Sequence, residues 1–473
     1  MSLPKSYSVG LFISINVCIV FIILYVFKGS IDIIYFARDL LFIYAGVIII
    51  LLKRHSRWVS SIMMFIFTFI LFYLSRVFAS YFDESFMTES NKYVYYTFSN
   101  KTITTILCFY GISLSSVLIG YFISYSKYKP IRLGKPFNFK SILIDKHLKK
   151  IILICVSITI PGTIYKSLFD LHLIFKYGYM ILYMELPETA PAFARISWGA
   201  FSLLFPLLLI FCNNKKFFIK ITLAYFAINL VSFLKGTRGE LILPIIFFTW
   251  FYYNNFSKRD IKISKLLFIV VIVGFFASLM LMTRGSEFSF DILLILQMLF
   301  ISQGVQYVFM GNYIDYSAGF ANKSNWYILY PIVAKIFWFF NPIYSQGKTT
   351  ALAKQTLSLD DQVMFATNQD AYFQGAGFGS SYIAELDALG SIYAIVIGSI
   401  ILGYCINWFE SNYKKNKYLV LLSWFWIPAI VWMPRGNYLI GFLFPMISII
   451  ILKFLININY KLQNKHKRYE LHT

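Results

Sequence analysis

Three Arg-Gly dipeptides carry the clearest chemical signal in this chain: Arg238-Gly239, Arg284-Gly285 and Arg435-Gly436. Each stands where an apolar run ends. A guanidinium stays charged and forks bidentately onto phosphate oxygens. A diphosphate leaving group gains charge as its bond to a sugar breaks, and arginines fixed beside it stabilise that transition state. A single interfacial arginine mostly reaches out to lipid headgroups. Three beside glycine on one membrane face suit an enzyme that handles a lipid-linked diphosphate better than they suit a pore. Lys235 and Glu240 flank the first pair.

The elements that must position these arginines are transmembrane helices. The chain has 473 residues, 59% hydrophobic, 20% aromatic and only 14% charged, with mean hydropathy +0.67. Soluble domains are about a quarter charged. Apolar stretches near the length of a bilayer core recur throughout. The fold class is therefore an all-α polytopic membrane protein. Twelve spans are expected, at 8–27, 33–52, 59–78, 102–126, 151–169, 197–212, 217–234, 241–254, 266–282, 391–409, 418–433 and 438–457. The seventh and eighth are short, or form a broken pair around 235–240. The first run has no small-residue cleavage site before Lys28, so it reads as a helix and not as a removed signal. Cys18, Cys108, Cys155, Cys212 and Cys405 all lie inside apolar runs and read as small core residues.

Alternate loops fall into two sets. One holds Lys53, Arg54 and Arg57, the stretch 127–150, Lys215-Lys216, Lys258-Arg259, Lys414-Lys415 and the C-terminal basic run. With both termini and Lys453 it carries 27 Lys+Arg against 4 Asp+Glu, and the other set carries 16 against 17. By the positive-inside rule the basic set is cytoplasmic, and both termini with it. The net charge of +22 is thus a topology signal, with a secondary attraction to anionic membrane lipid, and not a nucleic-acid surface. All three Arg-Gly pairs then face outward. So does 283–390, the one large extracytoplasmic loop, which separates nine spans in 1–282 from three spans and a basic tail in 391–473.

That loop holds apolar, aromatic-rich stretches at 291–302 and 326–340, the second broken by Pro331 and charged by Lys335. Two or three short amphipathic helices over the outer mouth of the bundle are expected, with a shorter interfacial element at 170–195. The loop ends in Asp370-Ala-Tyr-Phe-Gln-Gly375-Ala-Gly377-Phe-Gly379-Ser380-Ser381, then Glu385 and Asp387. Its glycines permit tight turns and close backbone approach to a ligand. Ser380 is placed to cap a short helix with Glu385 one turn in. Gly347-Lys348-Thr349 mimics the end of a phosphate-binding loop, but Pro342 stands where the first glycine belongs. Of the five histidines only His172 falls outside, and Asp360-Asp361 reads as a solvated pair, so no metal site and no His-based triad is expected.

The whole resembles the O-antigen polymerase family, the oligosaccharide repeat-unit polymerases of bacterial envelopes. The matching parts are the many-span basic chain, Lys235-Gly-Thr-Arg238-Gly-Glu240-Leu-Ile-Leu-Pro opening a helix, the large outer loop in the second half, and Gly377-Phe-Gly-Ser-Ser-Tyr-Ile-Ala-Glu385 leading into Gly390. The resemblance implies a C-type, metal-independent glycosyltransferase without a cofactor, in the bacterial inner membrane. It would move a glycan from one undecaprenyl diphosphate to a repeat unit on another. Its partners would be undecaprenyl-diphosphate-linked oligosaccharide, membrane lipid and a chain-length regulator protein. Arg238, Arg284, Arg435 and Lys235 would bind the diphosphate. A general base must activate the acceptor hydroxyl, and Glu385, then Glu240, then Asp370 are the candidates. Related ligases usually carry a histidine in the large loop, and this chain has none from 173 to 465. A flippase or exporter of lipid-linked sugars is the competing class. Transporters often show internal repeats, and none is evident here.

Overall fold

The computed structural model describes residues 5–54, 56–89, 96–128, 146–178, 181, 188–235, 238–262, 264–265, 303–340, 348–439 and 443–470. Among them eight helices are long and apolar enough to cross a membrane. They match eight of the twelve expected runs. The run 266–282 lies outside the described residues. The run 217–234 divides at Asn229 into helices Lys215–Ile228 and Leu230–Phe233. Its neighbour is the helix Arg238–Asn255, with Pro244 inside. The last run is a helix, Leu443–Glu470, whose apolar part is only Pro445–Tyr460.

Five elements position the site. They are α1 (Ser61–Phe69), α2 (Asn100–Lys127), α3 (Arg238–Asn255), α4 (Tyr382–Asn412) and α5 (Lys417–Trp432). Hydroxyl and amide caps start three of them. Ser60 accepts from Met63 N–H, Ser99 from Thr102 N–H and Asn416 from Tyr418 N–H. Beyond Phe69 the first helix continues through a π-helical turn, Ile70–Leu74, into Ser75–Ala79. A π-turn inserts one residue and redirects the side chains around it.

The long helices α2 and α4 form the core seam. A Cβ on Gly120 would lie 1.9 Å from the Ile400 carbonyl oxygen, and one on Gly403 1.8 Å from that of Val117. Only glycine lets the two backbones touch. Hydrogen bonds run along the same seam: Ser113 to Ser399 at 2.9 Å, and the Asn407 amide to Ser124 at 3.1 Å. Gly403→Val is therefore expected to cost about 3 kcal/mol or more by overpacking. Thermal unfolding of the detergent-solubilised protein reads this directly.

One end of the bundle gathers basic loops. Arg57 donates to the carbonyls of Tyr253, Ser257 and Lys258. Lys53 pairs with Asp260, Ser61 N–H donates to Glu410, and Lys414 donates to the Asn254 carbonyl. The first helix leaves this end at Ser61 and brings its π-turn to the opposite end.

The described part of 283–390 forms five short helices, more than expected: Val305–Tyr316, Tyr330–Phe340, Thr350–Gln355, Leu359–Thr367 and Gln369–Phe373. Thr349, Ser358 and Asn368 each cap one of them. Pro331 does not break its stretch, because it sits in the first turn of Tyr330–Phe340, where its missing N–H costs nothing. The stretch 291–302 lies outside the described residues.

Candidate functional site

The site begins at a reversal inside α4. Gly390 takes φ −171° and ψ 31°, and Ser391 takes φ 55° and ψ −151°. A Cβ on Gly398 would fall 2.5 Å from Leu386 Cδ2. In a straight helix residues twelve apart are separated by about 18 Å. The turn 382–389 therefore folds back along 392–399 as a half-helix whose N-terminus points into the bundle. Tyr382 OH and Ser113 share a hydrogen bond of 2.7 Å, and Ser381 Oγ and Tyr73 OH share one of 2.8 Å. The positive φ at Ser391 is strained for a residue with a side chain. Ser391→Gly is expected to keep activity and gain about 1 kcal/mol of stability. A lower melting temperature than that of the parent would contradict this.

The strand of glycines before the half-helix is held from outside. Asp360 Oδ1 accepts from Phe378 N–H at 2.7 Å and Gly379 N–H at 2.9 Å. A Cβ on Gly377 would meet Asp360 Oδ2 at 2.5 Å. Lys348 donates to the Ala376 carbonyl at 2.7 Å and pairs with Asp361 at 3.2 Å. Burial raises the Asp361 pKa, opposed by the lysine beside it. The Asp360-Asp361 pair is thus not a solvated loop pair: both carboxylates brace the glycine segment.

Glu385 sits in the first turn of the half-helix and is fully buried, at 0% exposure. It accepts hydrogen bonds from Ser380 Oγ at 2.9 Å, from the Asn437 side-chain amide, and from Tyr438 N–H at 2.8 Å. Tyr438 OH in turn donates to the Gly398 carbonyl at 2.7 Å. The helix begins at Tyr382, with Ser381 at the capping position but without a side-chain cap bond. Ser380 turns to Glu385 instead of capping, because the buried carboxylate needs the donor. The result is a latch between the half-helix and the turn 433–438 that carries Arg435.

Arg435 is half-buried in that turn. Its Nη1 donates to Gln303 Oε1 at 3.3 Å, and its guanidinium carbon lies 5.8 Å from the Phe72 ring centre and 5.7 Å from that of Trp432. Phe72 belongs to the π-turn and meets Trp432 edge-on. A Cβ on Gly239 would contact Trp432 Cη2 at 3.7 Å. Two of the three Arg-Gly pairs therefore meet on one indole: Arg435 against its ring, and Gly239, at the start of α3, against its edge. Arg238 is the first residue of that helix. Arg284 lies outside the described residues.

The remaining expected residues separate. Lys235 is buried at 5% exposure, 3.2 Å from Asp170 and 3.7 Å from Glu240. Glu240, in the first turn of α3, is partly exposed and accepts from Ser232 Oγ at 2.6 Å. Asp370 is exposed in the first turn of Gln369–Phe373. Among the described residues it shares none of these contacts. Sequence reasoning missed Phe72, Tyr73, Gln303, Trp432, Asn437 and Tyr438. The dense run Trp432-Met-Pro-Arg-Gly-Asn-Tyr438 was the one available signal, since aromatic and amide side chains bracket its arginine.

A half-buried guanidinium framed by two rings and an amide, beside a helix N-terminus, is chemically an anion holder. No curated protein and no solved structure matches the chain. The family model for the O-antigen polysaccharide polymerase Wzy matches residues 10–466, nearly the whole length, and the chain belongs to that family.

Proposed function

We propose that this protein polymerises undecaprenyl-diphosphate-linked oligosaccharide repeat units at the periplasmic face of the bacterial inner membrane. The growing glycan passes from its lipid carrier to a new lipid-linked unit. The observation that carries this reading is the meeting of two Arg-Gly pairs on Trp432, at the end of the bundle opposite the basic loops. That charge asymmetry supports cytoplasmic termini and an outward site.

In this mechanism Arg435, Arg238 and Arg284 hold the donor diphosphate. The acceptor hydroxyl oxygen attacks the anomeric carbon, and the bond from that carbon to the phosphate oxygen breaks. The lipid diphosphate leaves with the electron pair, stabilised by the guanidinium groups. A carboxylate takes the hydroxyl proton. Glu240 fits that task best, being partly exposed and next to the Arg238-Gly239 pair. Both oxygens of Glu385 already accept hydrogen bonds in a closed setting, so its task is to hold the Arg435 turn. Asp370 stands further out as a base. The test is single replacement of Arg238, Arg284 and Arg435 by alanine, with surface polysaccharide run on a gel. Single exported units without a ladder are expected. Retained long-chain ladders in all three variants would sink the arginine reading, and repeat units stranded on the cytoplasmic leaflet would indicate a flippase.

A further inference from the structure

Four charged groups form a chain that ends in the first turn of α3. Lys166 and Asp170 pair one turn apart on the helix Lys146–Tyr177. Asp170 uses its other oxygen to reach Lys235 at 3.2 Å, and Lys235 stands 3.7 Å from Glu240. Ser232 adds a hydrogen bond of 2.6 Å to the same Glu240 oxygen. Side-chain exposure falls along the chain from 24% at Lys166 through 12% at Asp170 to 6% at Lys235, then rises to 42% at Glu240. A buried ammonium must be paired, and here the firm, buried partner is Asp170. The outer, looser partner is Glu240.

We propose that Asp170 is a positioning residue for the transfer reaction. By holding Lys235 it ties the end of the helix Leu230–Phe233 to the helix Lys146–Tyr177 and keeps the lysine from closing fully onto Glu240. Without Asp170, Lys235 swings to the remaining carboxylate. Glu240 is then clamped as an ion pair, and the Arg238-Gly239 start of α3 shifts with it. Lys235 thus serves through its neighbours and does not touch the diphosphate. The inference rests on Glu240 and Arg238 acting as proposed above.

The test uses the full-length protein in nanodiscs, with lipid-linked units extracted from a strain lacking its gene. Asp170→Asn is expected to lower kcat about 10- to 100-fold, the range for a misplaced catalytic group. KM should stay within about twofold, because no substrate contact is lost. Asp170→Glu should recover most of the rate. Since the two residues act as one unit, the Asp170→Asn/Lys235→Gln double variant should be no slower than Lys235→Gln alone. Losses that multiply in the double variant, or a raised KM with kcat kept, would make Lys235 a direct substrate contact and overturn the proposal. If Asp170→Asn does not accumulate, Asp170→Glu and Lys235→Arg carry the test, and inactivity of both as folded proteins overturns it equally. Wild-type rates in Arg238→Ala and Glu240→Gln would instead refute the functional reading, while the double-variant comparison would still report whether Asp170 and Lys235 are coupled.

Discussion

Arg435→Ala is expected to abolish the long-chain polysaccharide ladder, with a loss of about 100- to 1000-fold in polymerisation rate, the scale for removing one charged stabiliser of a leaving oxyanion. The fold should survive. Arg435 is half-buried, and its contacts include the Gln303 amide at 3.3 Å and the Phe72 and Trp432 rings at 5.8 and 5.7 Å. Such half-buried ring contacts are each worth about 1–2 kcal/mol. Arg435→Lys keeps the charge but loses the planar fork, so it should retain a weak, short ladder. Trp432→Leu should resemble it, since Arg435 and Gly239 would both lose the surface they share. Ladder length on a gel, with protein abundance measured in parallel, separates lost chemistry from lost protein.

Glu385 gives the second large effect, and its two replacements should diverge. Glu385→Ala leaves three donors, Ser380 Oγ, the Asn437 amide and Tyr438 N–H, without an acceptor in a closed interior. The expected cost is about 3 kcal/mol or more, as for other buried groups left unpaired. The Arg435 turn is then free of the half-helix, and the ladder disappears. Glu385→Gln keeps the shape. Its oxygen can accept from Tyr438 N–H, and the Ser380 hydroxyl can rotate to accept from the new amide. The expected loss is about 1–2 kcal/mol of stability with the ladder retained. A Glu385→Gln protein that folds normally but makes no polymer would assign the proton-accepting role to Glu385 and remove it from Glu240.

The sequence made the spans and the arginines legible because both are local. A run of apolar residues near bilayer length is a helix whatever surrounds it, and eight such runs appear as membrane-length helices among the described residues. The helix start at Arg238 and the kink at Gly390-Ser391 fall where glycine and charge interrupt the apolar pattern. What escaped notice depends on contacts between distant segments. Leu386 against Gly398 turns an apparent helix start into a reversed half-helix. Two of the three partners of Glu385 lie 52 and 53 residues further along the chain, and only Ser380 is near it, so its role as a latch to the Arg435 turn was not marked locally. Asp360 looked solvated because its acceptance of two backbone N–H groups requires the glycine segment to fold onto it. The π-turn at Ile70–Leu74 has no composition of its own, and its role appears only when Phe72 meets Trp432 and Tyr73 meets Ser381.

The lipid diphosphate is expected to lie where the Arg-Gly pairs meet Trp432. Cryo-electron microscopy of the protein in nanodiscs, with lipid-linked repeat units extracted from a strain lacking the gene, tests it most directly. The predicted result is diphosphate density within hydrogen-bonding distance of the Arg435 guanidinium and beside Arg238-Gly239 at the start of α3. Diphosphate density at the opposite end of the bundle, against the Arg57 and Lys414 loops, with the Trp432 region empty, would contradict it.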